Sequence, residues 1–241
     1  MIADDGQQTT DNRKLTMGNE QQAIEGNTVV GGQSPVVVFF AHFFSYVFHP
    51  LFIPIYTIAF LIFFHPSYFA GFSPYDKSRI LLTTALNTVF FPAFAVLLMK
   101  GLGFIKSIFL RSQQDRIGPY LTSMIFYFWT AWVFFKTEPR LALIMPSFMV
   151  GVFLTTVVGL LSNIYFKISM HAMGVGGMLG LFLIIMQYNT MWMAWPLCIA
   201  LLVTGITLTS RMIVSDHTPK EIYLGLFFGL LCQVAAAVFV L

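Results

Sequence analysis

Seven stretches of this chain are apolar for close to twenty residues each, and that feature leaves few structural choices. The runs fall at roughly 36–64, 79–99, 119–135, 141–163, 171–188, 191–209 and 222–241. About 20 such residues in helical form cover the ~30 Å hydrocarbon core of a bilayer. Lipid offers no partner to an unpaired backbone amide, so segments of this kind cross as helices. The expectation is an all-α fold, a polytopic transmembrane helical bundle of about six to seven helices. The uncertainty in number sits in the first run, where Pro50 and Pro54 remove backbone donors and make it either one bent helix or a half-helix plus a re-entrant piece. A water-soluble alternative fails on composition, because only 10% of the residues are charged where ordinary globular domains carry about a quarter.

Residues 1–35 differ from the rest. They are rich in Gln, Asn, Thr, Gly and acidic residues, cannot build a core, and are expected to form a disordered polar tail ahead of a transmembrane domain at 36–241. Val29 and Val30 are too short a run for a signal peptide. A net charge of +3 is too small a surplus to indicate a nucleic-acid partner. Cys198 and Cys232 both lie inside apolar runs, which gives no disulfide framework.

Counting crossings sorts the polar linkers. If each run crosses once, linkers 100–118, 164–170 and 210–221 emerge on one face, since two helices separate each from the next. The 65–78 and 136–140 linkers emerge on the other, with Asp76, Lys77, Arg79, Lys136, Glu138 and Arg140. The first group holds the residues that can do chemistry. Its last linker reads Ser210-Arg211, then His217-Thr218-Pro219-Lys220-Glu221. A planar guanidinium matches the oxygens of a phosphoryl group, a histidine can attack phosphorus, and a carboxylate one helical turn later can orient its ring. Thr218, Pro219 and Glu221 equally form a helix-capping signature, so Glu221 has two readings that do not exclude each other.

The middle linker ends in Lys167, Ser169 and His171, at the start of a helix whose amides attract anions; His171 is the candidate general acid. The first linker carries Lys100, Lys106, Arg111, Asp115, Arg116 and Pro119. Basic residues beside a membrane helix often only bind head groups or set topology, and what raises Arg116 above that is its sharing a face with both histidines. The glycines, including Gly174, Gly176, Gly177, Gly225 and Gly229, are read as small residues that let helices approach closely. His42 and His49, seven residues apart in the first run, share a helix face if the run is helical. They could ligate metal or relay protons, but with no carboxylate or Cys beside them they are assigned to helix packing or the interface.

In order and spacing these residues resemble the type 2 phosphatidic acid phosphatase superfamily, integral-membrane enzymes related to the vanadium haloperoxidases. Its three short motifs are K-x6-R-P, P-S-G-H and S-R-x5-H-x3-D. Ser210, Arg211, His217 and Glu221 match the third, with Glu in place of Asp. Ser169 and His171 match the second, in which Ile168 and Met170 replace the proline and glycine. Arg116 stands for the first, with Pro119 three residues later and Phe109 where the lysine is expected. The resemblance covers roughly 100–229. It implies a metal-independent, cofactor-free hydrolysis of a lipid phosphate or diphosphate, of polyprenyl or phospholipid type, through a phosphohistidine. His217 would be the nucleophile, Glu221 its orienting partner and His171 the acid and later base. Arg116, Ser169, Ser210 and Arg211 would hold the phosphate oxygens, with Arg111, Lys106 or Lys167 standing in for the missing lysine.

The expected partners are membrane lipids and a lipid phosphate substrate, with no nucleic acid; self-association is left open. The expected location is the bacterial inner membrane. Nine Lys/Arg on the motif face, tail included, against four opposite would place that face in the cytoplasm. Four or five of the nine are candidate phosphate ligands, however, and the resemblance implies an extracytoplasmic site. Two alternatives stand beside the phosphatase: a catalytically weak or inactive descendant that binds a lipid phosphate or a protein partner, and a small transporter, which should carry more ionisable residues inside its helices.

Overall fold

The computed structural model describes residues 34–65, 67–105, 113–188, 193–214 and 217–241. The expected tail, except for its last residues, and the candidate phosphate ligands Arg111 and Lys106 lie outside the described residues. Contacts group residues 40–241 into one unit and 1–39 into another; the site lies within the former. Among the described residues the chain is helical without strands, as the apolar runs require.

The first run is two helices, α1 (Pro35–Val47) and α2 (Ile53–Phe63). At 1.5 Å per residue they are about 20 and 17 Å long, each short of a bilayer core. The break falls at 48–52, where Pro50 disfavours helical geometry in His49 before it. Next come α3 (Pro74–Ala85), a π-helical turn (Leu86–Phe90) and α4 (Phe91–Gly101), which together make one candidate span of 28 residues. The π turn has a local cause. Pro92 has no N–H for the Thr88 carbonyl, so the ladder widens and the Phe91 N–H bonds the Leu86 oxygen five residues back.

After them come α5 (Gln113–Lys136), α6 (Ile144–Tyr165), α7 (Met170–Tyr188), α8 (Ala194–Val214) and α9 (Pro219–Val240). Five helical segments, α3–α4, α6, α7, α8 and α9, are long and apolar enough to cross a membrane, and the chain is an integral membrane protein. Helix α5 has the length, but its Tyr, Trp, Thr and Ser content keeps it off that group by composition. The helices overrun the apolar stretches at polar ends: α5 starts six residues early with Gln113-Gln-Asp-Arg, and α8 continues through Arg211 to Val214.

Helix α7 is the centre of the bundle, with 67% of its spanning window buried against 22–50% for the others. Phe60 of α2 packs its ring 5.0 Å from that of Phe182 on α7. Leu181 and Ile185 are fully buried, as are Met145 and Met149 of α6. Apolar side chains such as Phe128, Trp129 and Phe227 are left exposed, a surface suited to lipid and not to water. On one side of the bundle Arg79, midway along α3, donates to the Glu138 carbonyl in the α5–α6 link. The 65–78 and 136–140 linkers therefore share a face, as crossing parity predicts.

The tightest packing in the molecule joins α7 to α9. A Cβ on Gly229 would lie 2.1 Å from the Met173 carbonyl oxygen, and one on Gly176 would lie 2.3 Å from that of Leu226. Gly225 approaches the Ser169 carbonyl in the same way, at 2.8 Å. These distances exist only because hydrogen stands where other residues carry a methylene, and they bring the first turns of both helices side by side.

Candidate functional site

Where α7 and α9 begin, their polar residues meet. Helix α9 starts with a complete capping box: the Thr218 hydroxyl accepts from the Glu221 amide at 3.4 Å, and Glu221 Oε2 accepts from the Thr218 amide at 3.0 Å. The same Oε2 lies 3.1 Å from His217 Nδ1. One carboxylate oxygen thus serves both the cap and the imidazole. Because a carboxylate accepts, Nδ1 is the protonated nitrogen, and Nε2 keeps a lone pair. The His217 side chain is 8% exposed. Burial, foremost, together with the charges of Lys167 and Arg211, pushes its pKa below the usual histidine value, although the Glu221 contact pulls the other way. The imidazole is therefore neutral near pH 7, as a nucleophile must be.

His171, in the first turn of α7, is fixed from a different direction. Its Nε2 donates to the Ser45 carbonyl at 3.1 Å, which leaves Nδ1 as the nitrogen able to exchange a proton. Arg211, on the last turns of α8, reaches the Ser45 hydroxyl from Nη1 at 3.5 Å. Its charge acts on His49, His171 and His217 together, and His171 feels His217 as well. Lys167 also acts on His217. The amino ends of α7 and α9 both open here, adding two partial positive charges to the field of Arg211 and Lys167. The cluster therefore has a positive field around a neutral imidazole.

The remaining predicted residues distribute unevenly. Ser169 is fully buried, and its hydroxyl accepts from the Ala172 amide at 3.4 Å, capping α7. Ser210 is buried in α8 next to Arg211. Arg116 is buried in the first turns of α5 and lies on the wall of an adjoining cavity of about 400 Å³. That cavity runs between the α1–α2 turn and helices α4, α5, α6 and α7. Its lining is mostly apolar, and His49 and Met170 connect it to the histidine cluster. The three histidines thus share Arg211, whereas Arg116 reaches the region through the cavity.

Sequence reasoning underrated His49 and did not single out Ser45. His49 places its ring 5.1 Å from that of His171, edge to face at 83°, and Ser45 contacts both His171 and Arg211. His42 is exposed on α1 and does not act with His49, because the helix that would align them ends at Val47. The available signal was polar residues just ahead of a proline in an otherwise apolar run.

The dual role of Glu221 gives a separable expectation. Glu221→Gln keeps an oxygen for the cap but loses the charge opposing His217, so thermal stability should hardly change while any His217-dependent turnover drops about 10–100-fold. Glu221→Ala loses both functions and should also lower stability by about 1 kcal/mol. Equal activity in wild type and Glu221→Gln would remove Glu221 from the site.

Fold and cluster together define a polytopic α-helical membrane protein with a partly buried cluster of basic and histidine side chains beside an apolar cavity. The chain matches no protein-family model, and no curated protein or solved structure is detectably similar to it.

Proposed function

We propose that this protein is an intramembrane phosphatase that hydrolyses a lipid phosphate or diphosphate, of polyprenyl or phospholipid type, through a phosphohistidine. The observation that carries the reading is the His217 ring, held through Nδ1 by Glu221, so that Nε2 keeps its lone pair in a cluster that also contains Arg211 and His171. Separated segments converge there in the order and spacing of the motifs this chain resembles.

In the proposed reaction, His217 Nε2 attacks phosphorus and the bond from phosphorus to the lipid oxygen breaks. His171, whose own proton stays on Nε2, takes the P–OH proton of the substrate monoanion at Nδ1 and passes it to the departing alkoxide. Water then attacks the phosphohistidine and loses a proton to His171 Nδ1, and phosphate leaves with His217 restored. Arg211, Lys167 and the two helix amino ends oppose the charge on the equatorial oxygens. Arg116 and the apolar cavity receive the part of the substrate nearest the head group. The proposal places the reaction on an extracytoplasmic face of a bacterial inner membrane.

The test is phosphate release from dioleoyl phosphatidic acid and from a polyprenyl diphosphate in detergent micelles containing a chelator. Turnover should persist with the chelator present. Arg211→Lys should raise KM or lower kcat by about tenfold or more, since a point charge cannot reproduce the bidentate fork. No turnover on either lipid, with retained binding of the lipid phosphate, would favour a second reading, a binding protein descended from such an enzyme. Met170 speaks for that reading: its side chain occupies the cavity wall where the resembling motif has glycine.

A further inference from the structure

Three linkers make up the motif pattern, yet the cluster also takes in a segment from outside them. The extra one is the break between α1 and α2. Ser45 is 6% exposed, in the last turn of α1, and touches two side chains of the cluster at once: its carbonyl accepts from His171 Nε2 and its hydroxyl from Arg211 Nη1. Four residues on, His49 accepts from the Leu51 amide at Nδ1, 3.3 Å away, which fixes its own tautomer with the proton on Nε2. Its ring then stands edge to face against His171 and forms part of the cavity wall. Pro50 follows, packed against Gly174 with its Cβ 3.4 Å from where a Cβ there would be. The turn is therefore seated on the first turns of α7.

From these contacts we infer that Ser45 and His49 are positioning residues of the same site: Ser45 sets the tautomer of His171 and the aim of Arg211, and His49 is the partition that holds the His171 ring at the mouth of the apolar cavity. This rests on the phosphatase reading for its kinetic consequences but not for its geometry. A ring whose Nε2 proton is committed to a backbone carbonyl can exchange protons only at Nδ1. The partition keeps Nδ1 chemistry on the head-group side. The Ser45 hydroxyl gives a flexible guanidinium one preferred orientation, which lowers the cost of fixing it on a phosphate.

The experiment uses the full-length protein in micelles, with dioleoyl phosphatidic acid as substrate and orthovanadate as phosphate mimic. Ser45→Ala should raise KM and weaken vanadate inhibition by about fivefold with kcat nearly kept, as for loss of one long hydrogen bond to a charged group. His49→Ala should lower kcat by about tenfold with little change in KM, a positioning loss. Two further variants separate the ring from the turn. His49→Phe keeps a ring but not the acceptor for the Leu51 amide, and His49→Asn keeps the acceptor but not the ring. Recovery by Phe and not by Asn supports the partition, and recovery by Asn alone overturns it.

A second readout needs no turnover. With ¹⁵N-labelled histidine, the His171 ring nitrogens should report one Nε2–H tautomer in wild type and tautomer averaging in His49→Ala, where the ring is no longer held against the Ser45 carbonyl. An unchanged His171 signal in that variant overturns the proposal even if the enzyme is active. If wild type releases no phosphate, the phosphatase reading fails, and this signal still decides the positioning role.

Discussion

Replacing His217 with alanine is expected to remove phosphate release by at least about 10³-fold, because without a nucleophile the covalent route is closed and only charge stabilisation remains. The loss should be in kcat, with lipid phosphate binding retained through Arg211 and Lys167. Quenching into alkaline denaturant during turnover should trap a base-stable, acid-labile phosphoryl group on wild type and none on His217→Ala. The pH dependence carries its own sign. The attacking form of His217 is neutral, and burial together with Lys167 and Arg211 holds its pKa below 6.5. The neutral form therefore persists to lower pH than in a free histidine, and the acid-side fall of kcat/KM should lie below pH 6.5. If that limb instead lies above 6.5, the electrostatic account of the pocket fails.

This result bears on how much of the site the sequence could carry. His217 and Glu221 are four apart at the start of one helix, so their contact follows from local geometry, and the capping box and the imidazole contact coexist because both use Glu221 Oε2. That His171 and His217 lie at the same end of the bundle also follows from sequence, through crossing parity: both stand where helices begin on the same face. Arg116 obeys the same parity, but parity fixes only the face. Which way its long side chain turns depends on the rotation of α5, and it turns to the cavity.

His49 was least legible, for a physical reason. A continuous helix over 36–64 would have put residue 49 near mid-membrane. The break at 48–52 instead sets it against His171, and nothing short of the tertiary structure shows that a proline in an apolar run makes a turn and not a kink. The bundle itself was legible because lipid leaves the backbone so few options. The number of spanning segments was not, because α1 and α2 divide one apolar run and α5 trades hydropathy for aromatic and hydroxyl side chains.

The glycines of α7 and α9, which take no part in the chemistry, should prove nearly as sensitive as the nucleophile. Gly229→Leu puts a branched side chain where even a Cβ meets the Met173 carbonyl at 2.1 Å, and Gly176→Val does the same against Leu226. These obstacles are backbone, not the movable end of a side chain, so the helices must separate. Overpacking of this kind costs about 1–3 kcal/mol and occasionally more. Here the displaced turns also carry His171 and His217, so the expected outcome is a marked fall in thermal stability in micelles together with loss of turnover. Gly205, on α8, has open space around it; Gly205→Ala serves as the control and should leave both properties at wild-type level. The proposed reaction requires the two imidazoles to stay in register, and the glycine contact holds the first turns of α7 and α9 together. Wild-type activity in Gly229→Leu would mean that α7 and α9 are not packed this closely in the membrane, and the juxtaposition of His171 with His217 would lose its structural support.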